Sequence, residues 1–124
     1  MKISKYILAG VIVLILIVVG INAAGIFAPA SGKYDDFAKC LSASGAKMYG
    51  AYWCSHCKAQ KDAFGSSWQY VTYIDCSTPD GSGQLQICKQ AGVTAYPTWE
   101  FGNGTRVQGE VSFGQLGQYT NCTI

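Results

Sequence analysis

The longest apolar stretch of the chain lies at its N-terminus. Lys2 and Lys5 precede an uncharged, mostly apolar run over residues 6–27, close to the ~20 residues that a bilayer-spanning helix needs. A secretory signal peptide is the alternative, with small residues for cleavage at 23–24 and 28–30. The apolar core of a signal peptide is usually ~7–15 residues long, and residues 7–21 reach that limit before the run ends. The pattern therefore favours an uncleaved transmembrane anchor and short tether over residues 1–30.

The charge beside this run predicts its orientation. Basic residues before an apolar segment hold the N-terminus in the cytoplasm, and Lys2 and Lys5 are such residues. Anchor and signal peptide alike would export the chain from about Ser31 onward. The prediction is a single-pass cell-membrane protein with an extracytoplasmic domain over residues 31–124.

Beyond residue 30, the apolar positions change between helical and strand periodicity. They recur at helical spacing over 34–41, whereas the near-continuous apolar run over 48–52 is typical of a strand buried on both faces. β-Branched and aromatic residues over 68–75 indicate a second strand. The predicted helices cover residues 34–41, 55–64, 84–90 and 113–119, and the predicted strands cover 47–52, 68–75, 98–101 and 105–111.

The order of these elements predicts the fold class. Helices that alternate with strands indicate an α/β sandwich in which parallel strands cross over through helices. Gly102-Asn103-Gly104 separates the last two strands, and it is a strong hairpin signal because Asn and Gly tolerate positive φ. We therefore expect one small domain with a central mixed sheet, a C-terminal antiparallel hairpin and helices on both faces.

The charge of this domain excludes some classes of partner. Outside the two N-terminal lysines, seven basic residues balance seven acidic ones, so the formal charge of +2 comes from Lys2 and Lys5. A neutral domain has no electrostatic attraction for a polyanion. Neither a nucleic-acid partner nor a basic membrane-binding patch is expected.

Two of the six cysteines form a C-x-x-C motif at the predicted junction of the first strand and the following helix. Cys54 would face the unpaired N–H groups and positive dipole end of that helix, which favour thiolate over thiol. His56 can add positive charge beside the same sulfur. Cys57, one turn further on, lies on the buried side and is close enough to close a disulfide with Cys54. The pair can therefore store two electrons.

Zinc binding and a purely structural disulfide are the alternatives for this motif. Zinc would need a second closely spaced pair of ligands, whereas Cys76 and Cys88 are separated by eleven residues and the only histidine lies inside the first pair. A structural disulfide in so short a loop would restrain the unfolded chain little. Redox chemistry is therefore favoured, with no metal and no other cofactor expected.

The same residues carry a resemblance to a known family. A strand that ends in Trp-Cys-x-x-Cys, followed by a strand, a helix and Tyr96-Pro97-Thr98 before a hairpin, resembles the thioredoxin superfamily. The segments MYGAYWCSHCKAQK, YIDCS and AYPTW resemble the thioredoxin-like domain that is fused to, or works beside, vitamin K epoxide reductase homologues. The resemblance implies a thioredoxin-like sandwich. It also implies a cis peptide before Pro97 that brings this loop against Cys54.

The resemblance also bears on the other four cysteines. It implies a structural disulfide between Cys76 and Cys88. Cys40 and Cys122 are then left as a pair by exclusion, although the first and last helices of such a fold can lie on opposite faces of the sheet. Free thiols and intermolecular bonds therefore remain alternatives for these two.

One departure from the family affects the proposed chemistry. Thioredoxins keep a buried acid six residues before the first cysteine, where it helps to move protons, and here that position is Met48. With His56 between the cysteines, the site resembles oxidising members, in which a histidine stabilises the reduced thiolate. A solvated role for His56 is the alternative. Trp53 and Tyr96, with Ser55, are expected beside Cys54 as a platform for substrate.

These observations predict a membrane-anchored thiol–disulfide oxidoreductase that introduces disulfides into exported proteins with free thiols. A quinone-linked membrane protein resembling vitamin K epoxide reductase would reoxidise it. The alternatives are a disulfide reductase or isomerase, and a non-catalytic binding module stapled by disulfides.

Overall fold

The computed structural model describes residues 4–23 and 30–124, without the side chains of residues 21–23. It divides into two compact units, Met1–Ala30 and Ser31–Ile124. The first unit contains helix α1, Lys5–Ala23. The second contains all of the other helices and strands described below.

The predicted transmembrane helix is wrong. Over residues 4–23 and 30–124, no helix is both long enough and apolar enough to cross a membrane. Helix α1 has 19 residues, including Lys5. The prediction of a single-pass membrane protein falls with it. Both candidate cleavage sites, and the predicted extension of the run to residue 27, include residues outside the described part.

A mixed four-stranded sheet forms the centre of the second unit. Its strands are β1 (Lys47–Gly50), β2 (Tyr73–Asp75), β3 (Thr98–Glu100) and β4 (Arg106–Gln108), in the spatial order β2-β1-β3-β4. β1 pairs parallel with β2 and antiparallel with β3. β3 and β4 form the predicted antiparallel hairpin. The domain is thus α/β, and its sheet is compatible with a thioredoxin-like fold.

Helices cover both faces of this sheet. They are α2 (Asp35–Ala43), α3 (Ser55–Phe64), α4 (Gln86–Gln90) and α5 (Phe113–Thr120), with a 3-10 helix at Gly65–Tyr70. Neighbouring residues of β1 point to opposite faces, and Met48 and Tyr49 accordingly belong to two separate apolar clusters. The larger cluster includes residues of α2, α3 and α5, and the smaller one includes Cys88 of α4.

The predicted second strand, 68–75, is mostly wrong, because its first residues form the 3-10 helix instead. Trp68 packs edge-on against Phe64 and Tyr73, with ring centres 5.7 and 5.6 Å apart. Ser67 is fully buried, and its hydroxyl accepts a 2.9 Å hydrogen bond from the Tyr34 backbone. These contacts override the strand propensity of the aromatic residues, which depends strongly on context.

The first and last helices of the domain lie on the same face of the sheet. The rings of Phe37 in α2 and Phe113 in α5 are 5.4 Å apart. Cys40 and Cys122 are joined by a disulfide with a Cα–Cα distance of 5.9 Å. The opposite-face arrangement, which would have kept these two cysteines apart, does not occur.

Candidate active site

Cys54 and Cys57 occupy the first turn of α3. Cys54 is the N-cap residue, and its sulfur accepts a 3.2 Å hydrogen bond from the Cys57 backbone N–H. Both are free thiols. Cys54 is 7% exposed and Cys57 only 1%. The Cys57 backbone N–H at the helix end is therefore directed at the outer sulfur, a contact that would stabilise negative charge there.

Cys57 lies in a buried environment that disfavours its thiolate form. Burial, assisted by the adjacent Cys54 thiol, raises the pKa of Cys57 to about 12, against smaller opposing effects of the Ala51 backbone and Lys61. Desolvation disfavours a thiolate because the charge loses its hydration. In the reduced protein at neutral pH, Cys57 holds its proton. It must release that proton before its sulfur can attack a disulfide.

A groove of about 500 Å³ runs beside Cys54, lined by Trp53, Cys54, Ser55, His56, Thr94, Ala95 and Tyr96. The Trp53 side chain is largely exposed, and its ring meets that of Tyr96 edge-on at 6.0 Å. Trp53 and Tyr96 thus form one apolar wall next to the outer sulfur. A peptide carrying a thiol or disulfide could lie against this wall.

Side chains of the neighbouring loop hold Trp53 and Tyr96 in place by hydrogen bonds. Trp53 Nε1 donates a 2.9 Å hydrogen bond to Ser77 Oγ, and Gln84 Nε2 donates at 2.8 Å to the Tyr96 hydroxyl. A disulfide between Cys76 and Cys88, with a Cα–Cα distance of 5.6 Å, closes the same loop. This disulfide therefore helps to position Trp53 through Ser77.

The peptide bond between Tyr96 and Pro97 is cis. Pro97 is fully buried, and the three residues before it line the groove that contains Cys54. Thr98 Oγ1 donates a 2.7 Å hydrogen bond to the Ala95 carbonyl and so braces this turn. The structure brings the Pro97 loop and the cysteines together, as the sequence motifs suggest.

His56 pairs with a residue that the sequence analysis missed. Its Nδ1 lies 2.8 Å from Glu110 Oε2, and both side chains are substantially exposed. When His56 is protonated, the carboxylate offsets part of its charge. Glu110 is 54 positions away in sequence, and no local pattern marked it.

Gln60 is the second residue that the analysis missed. It is 3% exposed and lies one turn after Cys57 on α3. Its Oε1 accepts hydrogen bonds from the Val111 backbone at 2.7 Å and from Trp99 Nε1 at 3.2 Å. Its Nε2 donates to the Val111 carbonyl at 3.1 Å. A polar residue on the same face as Cys57 was the available signal.

Met48, at the position where thioredoxins carry an acid, lies in apolar surroundings. Met48 is fully buried in the larger cluster, with Cys54 and Cys57. No proton can be passed to its thioether under ordinary conditions. The proton of Cys57 therefore needs another route.

Comparison with known proteins includes a match to a plant protein. No family model matches the chain. A protein of Arabidopsis thaliana named thiol-disulfide oxidoreductase LTO1 is 38% identical over 92 residues, which cover 70% of this chain. The chain spans only 24% of the length of that relative. The matched relative is named as a thiol–disulfide oxidoreductase, and the α/β fold of this chain is compatible with a thioredoxin-like domain.

Proposed function

We propose that this chain is a thiol–disulfide oxidoreductase in which Cys54 reacts with substrates and Cys57 resolves the intermediate. The observation that carries the proposal is the asymmetry of the two thiols. Cys54 lines the groove and receives the helix N–H, whereas Cys57 lies beneath it with a raised pKa. The similarity to a thiol-disulfide oxidoreductase supports the same chemistry.

In the oxidising direction, the reaction starts from a Cys54–Cys57 disulfide. A substrate thiolate attacks Cys54 Sγ and forms a mixed disulfide, while Cys57 leaves as a thiolate and takes up a proton. A second substrate thiolate then attacks the substrate sulfur of the mixed disulfide, and Cys54 leaves as a thiolate. Two electrons pass from the substrate to the cysteine pair. The helix N-terminus stabilises the leaving Cys54 thiolate.

The proposed physiological direction is the introduction of disulfides into proteins with free thiols. The scaffold itself contains two disulfides, Cys40–Cys122 and Cys76–Cys88, and such bonds persist in oxidising surroundings. The proposed reoxidant is a quinone-linked membrane protein resembling vitamin K epoxide reductase, and this part rests on the resemblance of the sequence segments. Reduction or isomerisation of disulfides by the same pair is the competing direction.

Serine variants of the two cysteines test the chemistry. Oxidised protein is mixed with a reduced dithiol peptide, and peptide disulfide is measured over time. Because Cys54 is the attacked sulfur, Cys54→Ser should abolish oxidation. Cys57→Ser, loaded as a mixed disulfide at Cys54, should exchange with one peptide thiol. Full activity of Cys54→Ser would refute the proposal. A reduction potential of the Cys54–Cys57 pair near that of thioredoxin, about −270 mV, would argue against the oxidising direction. It would leave the thiol–disulfide chemistry of the pair standing.

A further inference from the structure

The buried thiol of Cys57 faces few groups that could accept its proton. From its own helix, Cys54 and Lys61 act on it, and Lys61 is a cation. From β2, Tyr73 and Asp75 belong to the same electrostatic cluster, since Cys57 and Asp75 both act on the Tyr73 hydroxyl. The neighbouring β1 position, Met48, carries no titratable group. Among these groups, the proton acceptors other than Cys54 lie on β2.

Gly50 leaves that direction open. It is the last residue of β1 and is paired in register with Asp75. A Cβ added at Gly50 would lie 3.0 Å from Cys57 Sγ and 3.1 Å from the Tyr73 hydroxyl oxygen. It would also lie 2.8 Å from Tyr73 Cε2, closer than carbon atoms approach. The thiol and the phenol thus face each other across the position that any other residue would fill.

Tyr73 leads from this point to a carboxylate. Its hydroxyl donates a 3.3 Å hydrogen bond to Asp75 Oδ2, and Asp75 Oδ1 accepts a 2.9 Å hydrogen bond from the Ser77 backbone. Asp75 is only partly buried, so it can exchange protons with water. The ammonium of Lys61 lies 3.8 Å from the centre of the Tyr73 ring and holds the ring in place.

We propose that Tyr73 and Asp75 form the proton-transfer path of Cys57, in place of the acid that thioredoxins carry at the position of Met48. This inference rests on the proposed function of the cysteine pair. During reoxidation, the Cys57 proton passes across the space left by Gly50 to the Tyr73 oxygen, while the Tyr73 proton passes to Asp75. The Cys57 thiolate then attacks Cys54 Sγ of the mixed disulfide. The Cys54–Cys57 bond forms, the partner leaves as a thiolate, and Asp75 releases its proton to water.

The electrostatics of Tyr73 disfavour a stored negative charge on its oxygen. Burial, followed by the negative charge of Asp75 and the proximity of Cys57, raises the pKa of Tyr73 well above its ordinary value. A free tyrosinate is therefore strongly disfavoured. Tyr73 can still accept one proton as it donates another, because a phenol is both donor and acceptor.

The test separates the two thiol reactions in one experiment on the full chain. Reduced protein is mixed with an aromatic nitrobenzoate disulfide, which releases one coloured thiolate when Cys54 attacks and a second when Cys57 resolves. The first phase depends on reagent concentration and the second does not. Tyr73→Phe and Asp75→Asn remove the path with little change of shape. Tyr70→Phe and Asp62→Asn are matched controls, because neither residue acts on Cys57 or Tyr73.

At neutral pH, Tyr73→Phe and Asp75→Asn should each slow the second phase by about 10- to 100-fold, in the range of lost acid–base assistance. The first phase should not change, and both controls should behave as the unsubstituted protein. The deficit should narrow as pH rises, because hydroxide then accepts the proton. Asp75→Glu should recover part of the rate.

Three results would contradict the relay or the proposed function. An unchanged second phase in both variants would overturn the relay and leave the proposed function standing. Equal slowing of both phases at every pH would show that the residues only support the structure, which also overturns the relay. Absence of a concentration-dependent first phase in the unsubstituted protein would instead overturn the proposed function.

Discussion

Removal of the Gln60 amide should cost a large part of the stability of the domain. The side chain is 3% exposed and makes three hydrogen bonds, two with the Val111 backbone and one with Trp99. Val111 is 2% exposed and Trp99 fully buried, so water cannot replace the lost partner. Each buried group left unpaired costs about 1–3 kcal/mol.

If their costs add, the three unpaired groups together predict a loss of about 3–9 kcal/mol in the free energy of unfolding of Gln60→Ala. This is a large share of the roughly 5–15 kcal/mol that stabilises a typical domain. Gln60→Met separates hydrogen bonding from packing, because it retains most of the side-chain volume. It should still lose more than about 2 kcal/mol.

Urea unfolding of the oxidised full chain measures this loss as a shift of the midpoint at constant slope. Gln69→Ala is the matched control. Gln69 is exposed and makes one hydrogen bond, to the Ser66 carbonyl, so its replacement should change stability by no more than about 0.5 kcal/mol. The reasoning fails if Gln60→Ala and Gln60→Met both lose less than about 1 kcal/mol.

Two further predictions concern the redox site. Since the pKa of Cys57 is raised from 9.0 to about 12, the folded state prefers the thiol. This preference stabilises the reduced protein fully below about pH 9 and is lost as pH rises from about 9 to 12. Unfolding of reduced protein across this range should show the loss, and a Cys57→Ala variant should show less of it, because the raised pKa of Tyr73 contributes a loss of its own. His56→Ala should lower the reduction potential and Glu110→Gln should raise it. Each shift should be at most about 20 mV because both side chains are exposed. Equilibrium with a glutathione redox buffer measures it, and shifts in the same direction would contradict the charge-offsetting role of Glu110.

Local signals in the sequence were sufficient for much of the fold. Helix α3 begins and ends as predicted, because Cys54 can cap its first turn and Gly65 ends it with a positive φ. The β3–β4 turn has the predicted chemistry: Gly104 adopts a φ of 83°, and Asn103 Oδ1 accepts a 2.9 Å hydrogen bond from the Thr105 backbone. In both cases the determinants lie within a few residues of each other.

The contacts that complete the site could not be predicted from local signals in the sequence. Gln60 meets Val111 across 51 positions and His56 meets Glu110 across 54, so only the folded chain pairs them. The 68–75 segment differs from the predicted strand at its start. Trp68 has a high strand propensity, yet Trp68 packs on Phe64 within a 3-10 helix. Composition does not say which partner a side chain will find.

The thiolates of its substrates could also attack the two structural disulfides of this protein. The two disulfides differ in how accessible their sulfur atoms are to such attack. Exchange requires a thiolate to reach one sulfur of the bond. Cys76 and Cys88 are fully buried, so no substrate thiolate can reach them while the domain is folded. Cys40 is partly exposed, although Cys122 is only 6% exposed. The disulfide that supports Trp53 is therefore kinetically insulated, and any loss of scaffold disulfides during turnover begins at Cys40.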